Sequence, residues 1–154
     1  MEFRFAGEGD AGAIARVINL AFRVERFFVE RDRTSAEEVR ARLKSGKFLL
    51  AEEAGQLAGC VYLELRGDRM YFGLLAVDPA RQKKGLGRTL IAAVENLGRE
   101  AGCRFVDIRV VNLRAELPPI YRRLGYVVTG TAPFTAGIKT KVPCHFIDMS
   151  KPLG

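Results

Sequence analysis

Residues 74–88 read LLAVDPARQKKGLGR, and they join an apolar strand that ends at Val77 to a long amphipathic helix. The amide groups at a helix N-terminus have no intrahelical partner and carry partial positive charge, so they bind phosphate readily. Gly85 and Gly87 let the backbone approach an anion closely, and the neighbouring lysine and arginine side chains add positive charge. The segment therefore predicts a phosphate-binding turn.

Two common phosphate motifs do not fit this turn. A P-loop needs Gly, four residues and then Gly-Lys-Ser/Thr, and the residues from Gly85 to Thr89 do not have that spacing. A dinucleotide-binding fingerprint needs a third glycine where Leu90 stands, within an early βαβ unit. The pattern that fits is Gln-x-x-Gly-x-Gly, from Gln82 to Gly87.

With this motif the chain resembles the GNAT superfamily of acyl-CoA-dependent N-acetyltransferases, and the flanking sequence supports the resemblance. Residues 75–79, LAVDP, resemble the strand end that precedes the turn in that family. Asn112 follows the next strand, and residues 121–126, YRRLGY, resemble the family's Tyr-x-x-x-Gly-Phe/Tyr pattern. The first strand and helix also look like those of the family. The resemblance thus covers nearly the whole chain in order.

The remaining sequence predicts a single α+β domain over residues 1–154. Helices are expected after Asp10, which is positioned to cap the first, after Ser35, from about Gly85 to Ala101, and from Pro118 to Gly125. The order β-α-α-β-β-β-α-β-α-β-β indicates a GNAT-like mixed, mostly antiparallel central sheet flanked by helices. Its strands are expected at residues 3–6, 48–53, 57–65, 70–77, 105–111, 126–131 and 144–149.

Composition favours an ordinary folded domain and limits its partners. The chain has 154 residues, 48% of them hydrophobic and 28% charged, which is enough to bury a core. No apolar run approaches the roughly 20 residues that cross a bilayer, and the first residues do not resemble a signal peptide. We therefore expect a cytoplasmic protein without a membrane partner. Neither a metal site nor a disulfide framework is expected from three scattered cysteines and one histidine: Cys60, Cys103, Cys144 and His145.

The net charge of +7 lies entirely in the second half of the chain. Residues 1–78 have 12 basic and 13 acidic side chains, whereas residues 79–154 have 13 basic and 5 acidic ones. A basic half suits a phosphorylated cofactor, a nucleic acid or an anionic lipid. A nucleic-acid partner is disfavoured because the basic residues are scattered and no strand combines them with an aromatic stripe.

The resemblance implies that acetyl-CoA is the co-substrate and that an amine attacks its acetyl group directly. By that resemblance, the backbones of Leu75, Ala76 and Val77 pair with the pantetheine arm and polarise the thioester carbonyl. Tyr121 donates a proton to the departing thiolate, a step for which the chemistry requires an acid. The other implied cofactor contacts are Gln82, Lys83, Lys84, Gly85, Leu86, Gly87, Arg88 and Asn112.

Two features depart from the family pattern. Tyr121 stands nine positions beyond Asn112 instead of about seven, and this extra length either bulges before the helix or shifts the ring away from the sulfur. Strand 70–77 also lacks the carboxylate that many members place there as a general base. The base therefore stays unassigned among Glu52, Glu64, Tyr71 and His145.

The sequence does not identify the acceptor. Its pocket is expected from residues 23–34, 54–57, 66–69 and 134–143, with Phe27, Phe28 and Phe134 as an apolar contribution. The first expectation is a primary amine of a small metabolite, an amino acid or a peptide, and a protein lysine or N-terminus is the second. A non-catalytic CoA-binding module is the rival if Tyr121 is misplaced, and a homodimer is left open.

Overall fold

The computed structural model describes residues 1–81 and 85–154, which contain four α-helices and seven strands. The helices are α1 (Ala11–Ala21), α2 (Ala36–Arg42), α3 (Leu86–Glu100) and α4 (Leu117–Arg123). The strands are β1 (Glu2–Phe5), β2 (Lys47–Glu53), β3 (Gln56–Arg66), β4 (Arg69–Val77), β5 (Phe105–Val111), β6 (Val127–Pro133) and β7 (His145–Pro152). The element order is the one predicted.

One seven-stranded sheet runs through these residues in the order β1-β2-β3-β4-β5-β7-β6. Neighbouring strands are antiparallel except β4 and β5, which are parallel. Helix α3 lies between those two strands in sequence, because a parallel pair requires a crossover connection. The mixed, mostly antiparallel sheet predicted from the sequence is confirmed.

Helices cover the two faces of the sheet and divide the core in two. Helix α1 presents Ile14 and Ile18 to one face, where they pack with Val39 of α2 and with buried strand residues. Helix α3 presents Leu90 and Val94 to the opposite face. Residues four apart lie on the same side of a helix, so each pair forms part of one apolar stripe.

The predicted caps of the first two helices have different outcomes. Ser35 caps α2, since its hydroxyl accepts a hydrogen bond from the Glu38 amide at 3.1 Å. The expectation for Asp10 is wrong, because its side chain makes no cap bond to α1. Its carboxylate instead accepts bonds from the Gly7 amide at 2.8 Å and from Arg4 at 2.7 Å. Arg4 on β1 therefore binds the carboxylate that was expected to cap α1.

None of the helices in the described ranges is long and apolar enough to cross a membrane. Cys60 and Cys103 are buried free thiols, and Cys144 is a partly exposed free thiol. Within the same ranges, no group of three or more His, Cys, Asp and Glu residues is arranged to hold a metal ion.

Candidate active site

A cleft opens where β4 and β5 separate. The two strands pair at only three positions, the last of which joins Tyr71 to Asp107. Beyond that pair, β4 stays bonded to β3 as far as Val77, while β5 follows β7 as far as Val111. We call the gap between the separated halves of these strands the β4–β5 cleft. Leu75, Ala76 and Val77, the predicted pantetheine contacts, all lie on its β4 side.

A β-bulge bends β4 at the cleft. Tyr62 of β3 pairs with Gly73, but Cys60 pairs with Ala76, so β4 contains one extra residue between these two pairs. Leu74 absorbs the irregularity with a φ of 52°, in the left-handed region that non-glycine residues rarely adopt. Backbone strain of this kind is often held at functional sites, where it changes the direction of a strand.

Helix α3 begins just after the end of β4. Gly85 precedes it with a φ of 71°, a conformation that glycine adopts without steric cost. In the described part of the chain, no side chain caps this helix, and its first turn carries no acidic residue. Its free amide groups and its dipole therefore suit the pyrophosphate of a nucleotide cofactor. Leu86, Gly87 and Arg88 form the first turn, whereas Gln82, Lys83 and Lys84 lie outside the described residues.

Tyr121 lies on α4 with 8% of its surface exposed. Its ring centroid is 6.2 Å from that of Phe72 on β4 and 5.6 Å from that of Tyr126. The surrounding apolar atoms desolvate the phenol and raise its pKa to about 12, so the hydroxyl stays protonated at any ordinary pH.

The Tyr121 hydroxyl has no hydrogen-bond partner within the described ranges. No fully buried side-chain oxygen there lacks a partner, so this hydroxyl must reach solvent-accessible space. The longer spacing from Asn112 is taken up by a turn before α4, in which Arg114 bonds to the Val111 carbonyl and Leu117 to the Arg114 carbonyl. The extra residues thus leave the tyrosine ring packed against β4.

Asn112 connects the end of β5 to the start of β7. Its amide donates to the His145 carbonyl at 2.9 Å, and its side-chain carbonyl accepts from the His145 amide at 2.8 Å. The side chain therefore continues the strand pairing by one step. Within the described residues the side-chain nitrogen Nδ2 of Asn112 makes no hydrogen bond, and this is the group left to contact a cofactor.

The base candidates from the sequence differ in their surroundings. Glu64 accepts hydrogen bonds from Tyr62 and Arg66, which hold its pKa below the ordinary value. Glu52 is bonded to Arg4 at 2.9 Å. A carboxylate whose pKa is lowered, such as that of Glu64, is a poor proton acceptor at neutral pH. The other two candidates are not carboxylates. The Tyr71 hydroxyl lies next to Gly73, and the His145 side chain is exposed.

A carboxylate that sequence reasoning missed lies at the mouth of the cleft. Glu25 follows α1 in a short 3-10 helix, and 17% of its side chain is exposed. It accepts a hydrogen bond at 3.0 Å from Arg114, in the turn after β5. Burial outweighs that contact and raises the pKa of Glu25 above its usual value. Burial raises the pKa of Tyr121, and the positive charge of Arg114 partly offsets that rise, so Arg114 lies near both Glu25 and Tyr121.

The loops expected to shape the acceptor pocket are bonded to each other. The amide of Lys141, between β6 and β7, donates to the Phe28 carbonyl at 2.8 Å, and its ammonium pairs with Glu30 at 3.0 Å. Phe28 itself is fully buried, whereas 54% of Phe27 is exposed. Phe134 stacks on Phe146 of β7 with centroids 5.0 Å apart. Of the three predicted phenylalanines, Phe28 is a core residue.

Known proteins similar to this chain are acetyltransferases. An acetyltransferase (GNAT) domain model matches residues 23–151. A mycothiol acetyltransferase of Clavibacter michiganensis subsp. michiganensis is 38% identical over 79 residues, which are 51% of this chain and 26% of that protein. The match thus spans about a quarter of the length of that relative, and the same holds for the enzyme of Clavibacter sepedonicus.

Solved structures share the fold over the whole chain. The acetyltransferase yncA of Salmonella typhimurium, solved with acetyl-CoA, has a TM-score of 0.74 and 26% identity over 100% of this chain and 94% of that one. A ribosomal-protein-alanine N-acetyltransferase from Brucella melitensis has a TM-score of 0.78 and 21% identity over 99% and 100% of the two chains. The chain therefore belongs to the GNAT superfamily of acetyl-CoA-dependent acetyltransferases.

Proposed function

We propose that this protein transfers the acetyl group of acetyl-CoA to a primary amine of a small metabolite, an amino acid or a peptide. The observation that carries the proposal is the β4–β5 cleft, which has a bulged strand on one side, a buried tyrosine beside it and, at its end, a helix N-terminus that Gly85 precedes.

The chain's own groups would hold the co-substrate along this cleft. The amides of Leu86, Gly87 and Arg88 would bind the pyrophosphate, together with Gln82, Lys83, Lys84 and Gly85. The backbones of Leu75, Ala76 and Val77, with the Asn112 amide, would bind the pantetheine arm. When bound, acetyl-CoA supplies an activated carbonyl carbon. Oriented N–H donors in a cleft that excludes water would stabilise the charge that develops on its oxygen.

Tyr121 is the proposed acid. Its high pKa keeps the proton in place, and its hydroxyl reaches accessible space beside β4. As the C–S bond breaks, the phenol gives its proton to the sulfur, whose basicity is raised in a desolvated site. A proton from the acylated amine then returns to the phenolate through water.

Glu25 is the proposed base, because it combines a raised pKa with a position next to Arg114 at the mouth of the cleft. It takes one proton from the incoming ammonium, which frees the lone pair that forms the C–N bond. The proton passes to solvent after product release. The balance is one ammonium and one thioester consumed, and one amide, one thiol and one proton produced.

Two alternatives remain under this proposal. The first is a protein lysine or N-terminus as acceptor, and the name of the Brucella neighbour gives an alanine of a ribosomal protein as the acceptor of that enzyme. A non-catalytic CoA-binding module requires that cofactor binding occurs without thiol release.

The test compares two glycines that occupy the second position of their helices. Gly87 in α3 and Gly12 in α1 both face open space, so Gly87→Val and Gly12→Val should cost similar stability without ligand. A ligand present at 100 times its Kd stabilises a fold by about 2.7 kcal/mol. We expect CoA to raise the Tm of the wild type and of Gly12→Val, and to lose most of this effect on Gly87→Val.

Thiol release from acetyl-CoA over a panel of amines, measured on the same three proteins, completes the test. Release that depends on an added amine supports the enzyme. Binding of CoA without release by any amine or peptide supports the non-catalytic module instead. The absence of a Tm shift at millimolar CoA would exclude both.

A further inference from the structure

A buried carboxylate lies on the core side of α3. Within the described ranges, Glu95 is the only charged residue that is buried, with 7% of its surface exposed. Its two oxygens have different partners. Oε2 accepts a hydrogen bond from the Tyr126 hydroxyl at 2.8 Å, and Oε1 accepts one from the Lys151 ammonium at 3.0 Å. We call these three side chains the Glu95 network; it joins α3 to the residue before β6 and to β7.

Lys151 reaches Glu95 across a glycine. A Cβ atom at Gly125 would lie 3.2 Å from the Cε and 3.5 Å from the Cδ of Lys151, so a side chain there would crowd the lysine. Gly125 also has a φ of 100°, a conformation that glycine adopts without steric cost. The ammonium lies 5.9 Å from the centroid of the Tyr126 ring, so it contacts both other members of the network.

Tyr126 connects this network to Tyr121. The two rings meet edge to face with centroids 5.6 Å apart. Both also contact the Phe72 ring on β4, at 6.2 Å from Tyr121 and 6.3 Å from Tyr126. The Tyr126 amide donates to the Tyr121 carbonyl at 3.0 Å. Because Tyr126 is only 1% exposed, its ring cannot turn without displacing its neighbours. The Tyr121 ring therefore packs against a ring whose outer end is bonded to Glu95.

Packing alone does not require a carboxylate at position 95. Apolar residues of similar volume often stabilise a buried site as well as an ion pair does, because the charges must first be removed from water. A hydrogen bond adds direction, which apolar contacts lack. Without the bond to Glu95, a ring at position 126 would fill the same space but nothing would hold its outer end beside α3.

We propose that Glu95 is a positioning residue for the reaction: by holding the Tyr126 hydroxyl it fixes the ring against which Tyr121 packs, and so keeps the Tyr121 hydroxyl at the cleft. This inference rests on the proposed function, in which Tyr121 is the acid. A general acid must lie within hydrogen-bond reach of the atom that it protonates. A displacement of about 1 Å can cost on the order of 10²-fold in rate, so a small turn of this ring is enough to slow the reaction.

The test uses variants that change the network without emptying the core. Tyr126→Phe keeps the ring and removes the bond, Glu95→Leu removes the carboxylate, and Glu95→Gln keeps an oxygen that can accept from Tyr126. The matched control is Tyr62→Phe. It removes a bond of the same kind in the other half of the core, where the buried Tyr62 hydroxyl donates to Glu64 at 2.5 Å.

In thiol release, we expect Tyr126→Phe and Glu95→Leu to lower kcat about 10–100-fold with the KM for acetyl-CoA nearly unchanged. Glu95→Gln should recover much of the loss, and Tyr62→Phe should turn over at the wild-type rate even where its Tm falls as far. Equal losses of kcat in Tyr62→Phe and Tyr126→Phe would mean that the bonds serve stability alone, and would overturn the inference.

A double-mutant cycle tests whether the network acts through Tyr121. If it does, the kcat of Tyr121→Phe combined with Tyr126→Phe should equal that of Tyr121→Phe alone, because the group being positioned is already absent. A double variant that is slowed by the product of the two single factors would show that Tyr126 acts independently of Tyr121. That result would also overturn the inference.

A measurement that needs no turnover separates this inference from the proposed function. The chain has four tyrosines, so the ring signals of tyrosine-labelled protein can be assigned in NMR spectra by single substitutions. In Glu95→Leu, the ring signals of Tyr121 and Tyr126 should shift or show faster ring flipping. Those of Tyr62 and Tyr71, in the other half of the core, should stay unchanged.

The outcomes for the two proposals differ. Altered Tyr121 signals in a protein that releases no thiol with any amine would retain the control of this ring by Glu95 and reject the enzyme. Turnover that requires the Tyr121 hydroxyl but is unchanged in Tyr126→Phe and Glu95→Leu would retain the enzyme and reject the positioning role. Tyr121 signals that do not respond to Glu95→Leu would likewise overturn the inference.

Discussion

The two arms of the sheet differ in how they are covered. In the N-terminal arm, formed by β1 to β4, the central residues of β2 and β3 are buried on both faces in nearly continuous runs. In the C-terminal arm, formed by β5, β7 and β6, burial alternates along β5 and is sparse along β6. One face of that arm packs against α3 through Val106, Ile108 and Met149.

On the opposite face of the C-terminal arm, arginine side chains lie over the rings of Phe105 and Phe146. Asp107, Arg109, Asp148 and Ser150 lie there, and Ser150 and Arg69 both bond to Asp107. We call this the polar face. Its charges are paired side to side across strands, so the surface stays hydrated without a covering helix. The first arm thus contributes buried strands to both halves of the core, and the second leaves a charged surface beside the cleft.

The largest expected effect concerns the tyrosine at the junction of the arms. Tyr121→Phe keeps the ring that packs on Phe72 and Tyr126 and removes only the proton donor. General acid catalysis is worth about 10²–10⁴-fold, so kcat should fall by a factor in that range. CoA affinity and Tm should stay nearly unchanged, since the hydroxyl acts only in the transition state. Turnover at the wild-type rate would make Tyr121 a core residue alone.

Stability should respond differently in the two arms. Leu50 on β2 is 1% exposed, and Leu50→Ala should lower the free energy of unfolding by about 2–5 kcal/mol. Val127 on β6 is 58% exposed, and Val127→Ala should change it by no more than about 0.5 kcal/mol. Urea unfolding of both variants measures the contrast. Comparable losses would mean that β6 is covered in solution, as in a homodimer.

The fold was predictable because its signals are local. The amphipathic stripe of α3 and the apolar runs of the strands repeat within a few residues, and the Pro and Gly positions mark the element ends. The Gln82–Gly87 motif fixed the place of the crossover helix. Asp10 failed as a cap because Arg4, on a neighbouring strand, takes its carboxylate, and only tertiary structure brings those two together.

The candidate site was predictable only in part, because some of its residues are brought together only by tertiary structure. Gly85 and Tyr121 stand in motifs with fixed spacing, so the sequence could nominate them. Glu25 has no such signal, because its neighbourhood contains other acidic residues, and its partner Arg114 is 89 residues away. Long-range pairing, which the sequence does not show, selects this charge.

A smaller effect is expected from the polar face. Arg109 pairs with Asp148 at 2.7 Å, and its side chain is 43% exposed. Exposed ion pairs contribute about 0–1 kcal/mol, and salt weakens them further. Arg109→Ala should therefore lower stability by no more than about 1 kcal/mol at low salt, and by less at 1 M NaCl. A salt-independent loss would indicate instead that packing of the Arg109 guanidinium over the Phe146 ring is what stabilises the face.

The subtlest expected effect is the cost of keeping Glu25 at the mouth of the cleft. Burial raises its pKa in the folded state above the unfolded value, so folding disfavours the ionised form. Below the unfolded pKa the group is protonated in both states and carries no penalty. As pH rises through the folded pKa the penalty develops fully, and stability is lost. Glu25→Gln lacks this titration, so its Tm relative to wild type should rise as pH increases from about 4 to 7. Glu30→Gln, on the same loop with 77% of its side chain exposed, controls for loss of charge alone. A variant that gains stability while losing turnover would show that Glu25 is retained for chemistry rather than for folding, whereas a Tm difference that falls with pH would mean that the Arg114 pair outweighs burial.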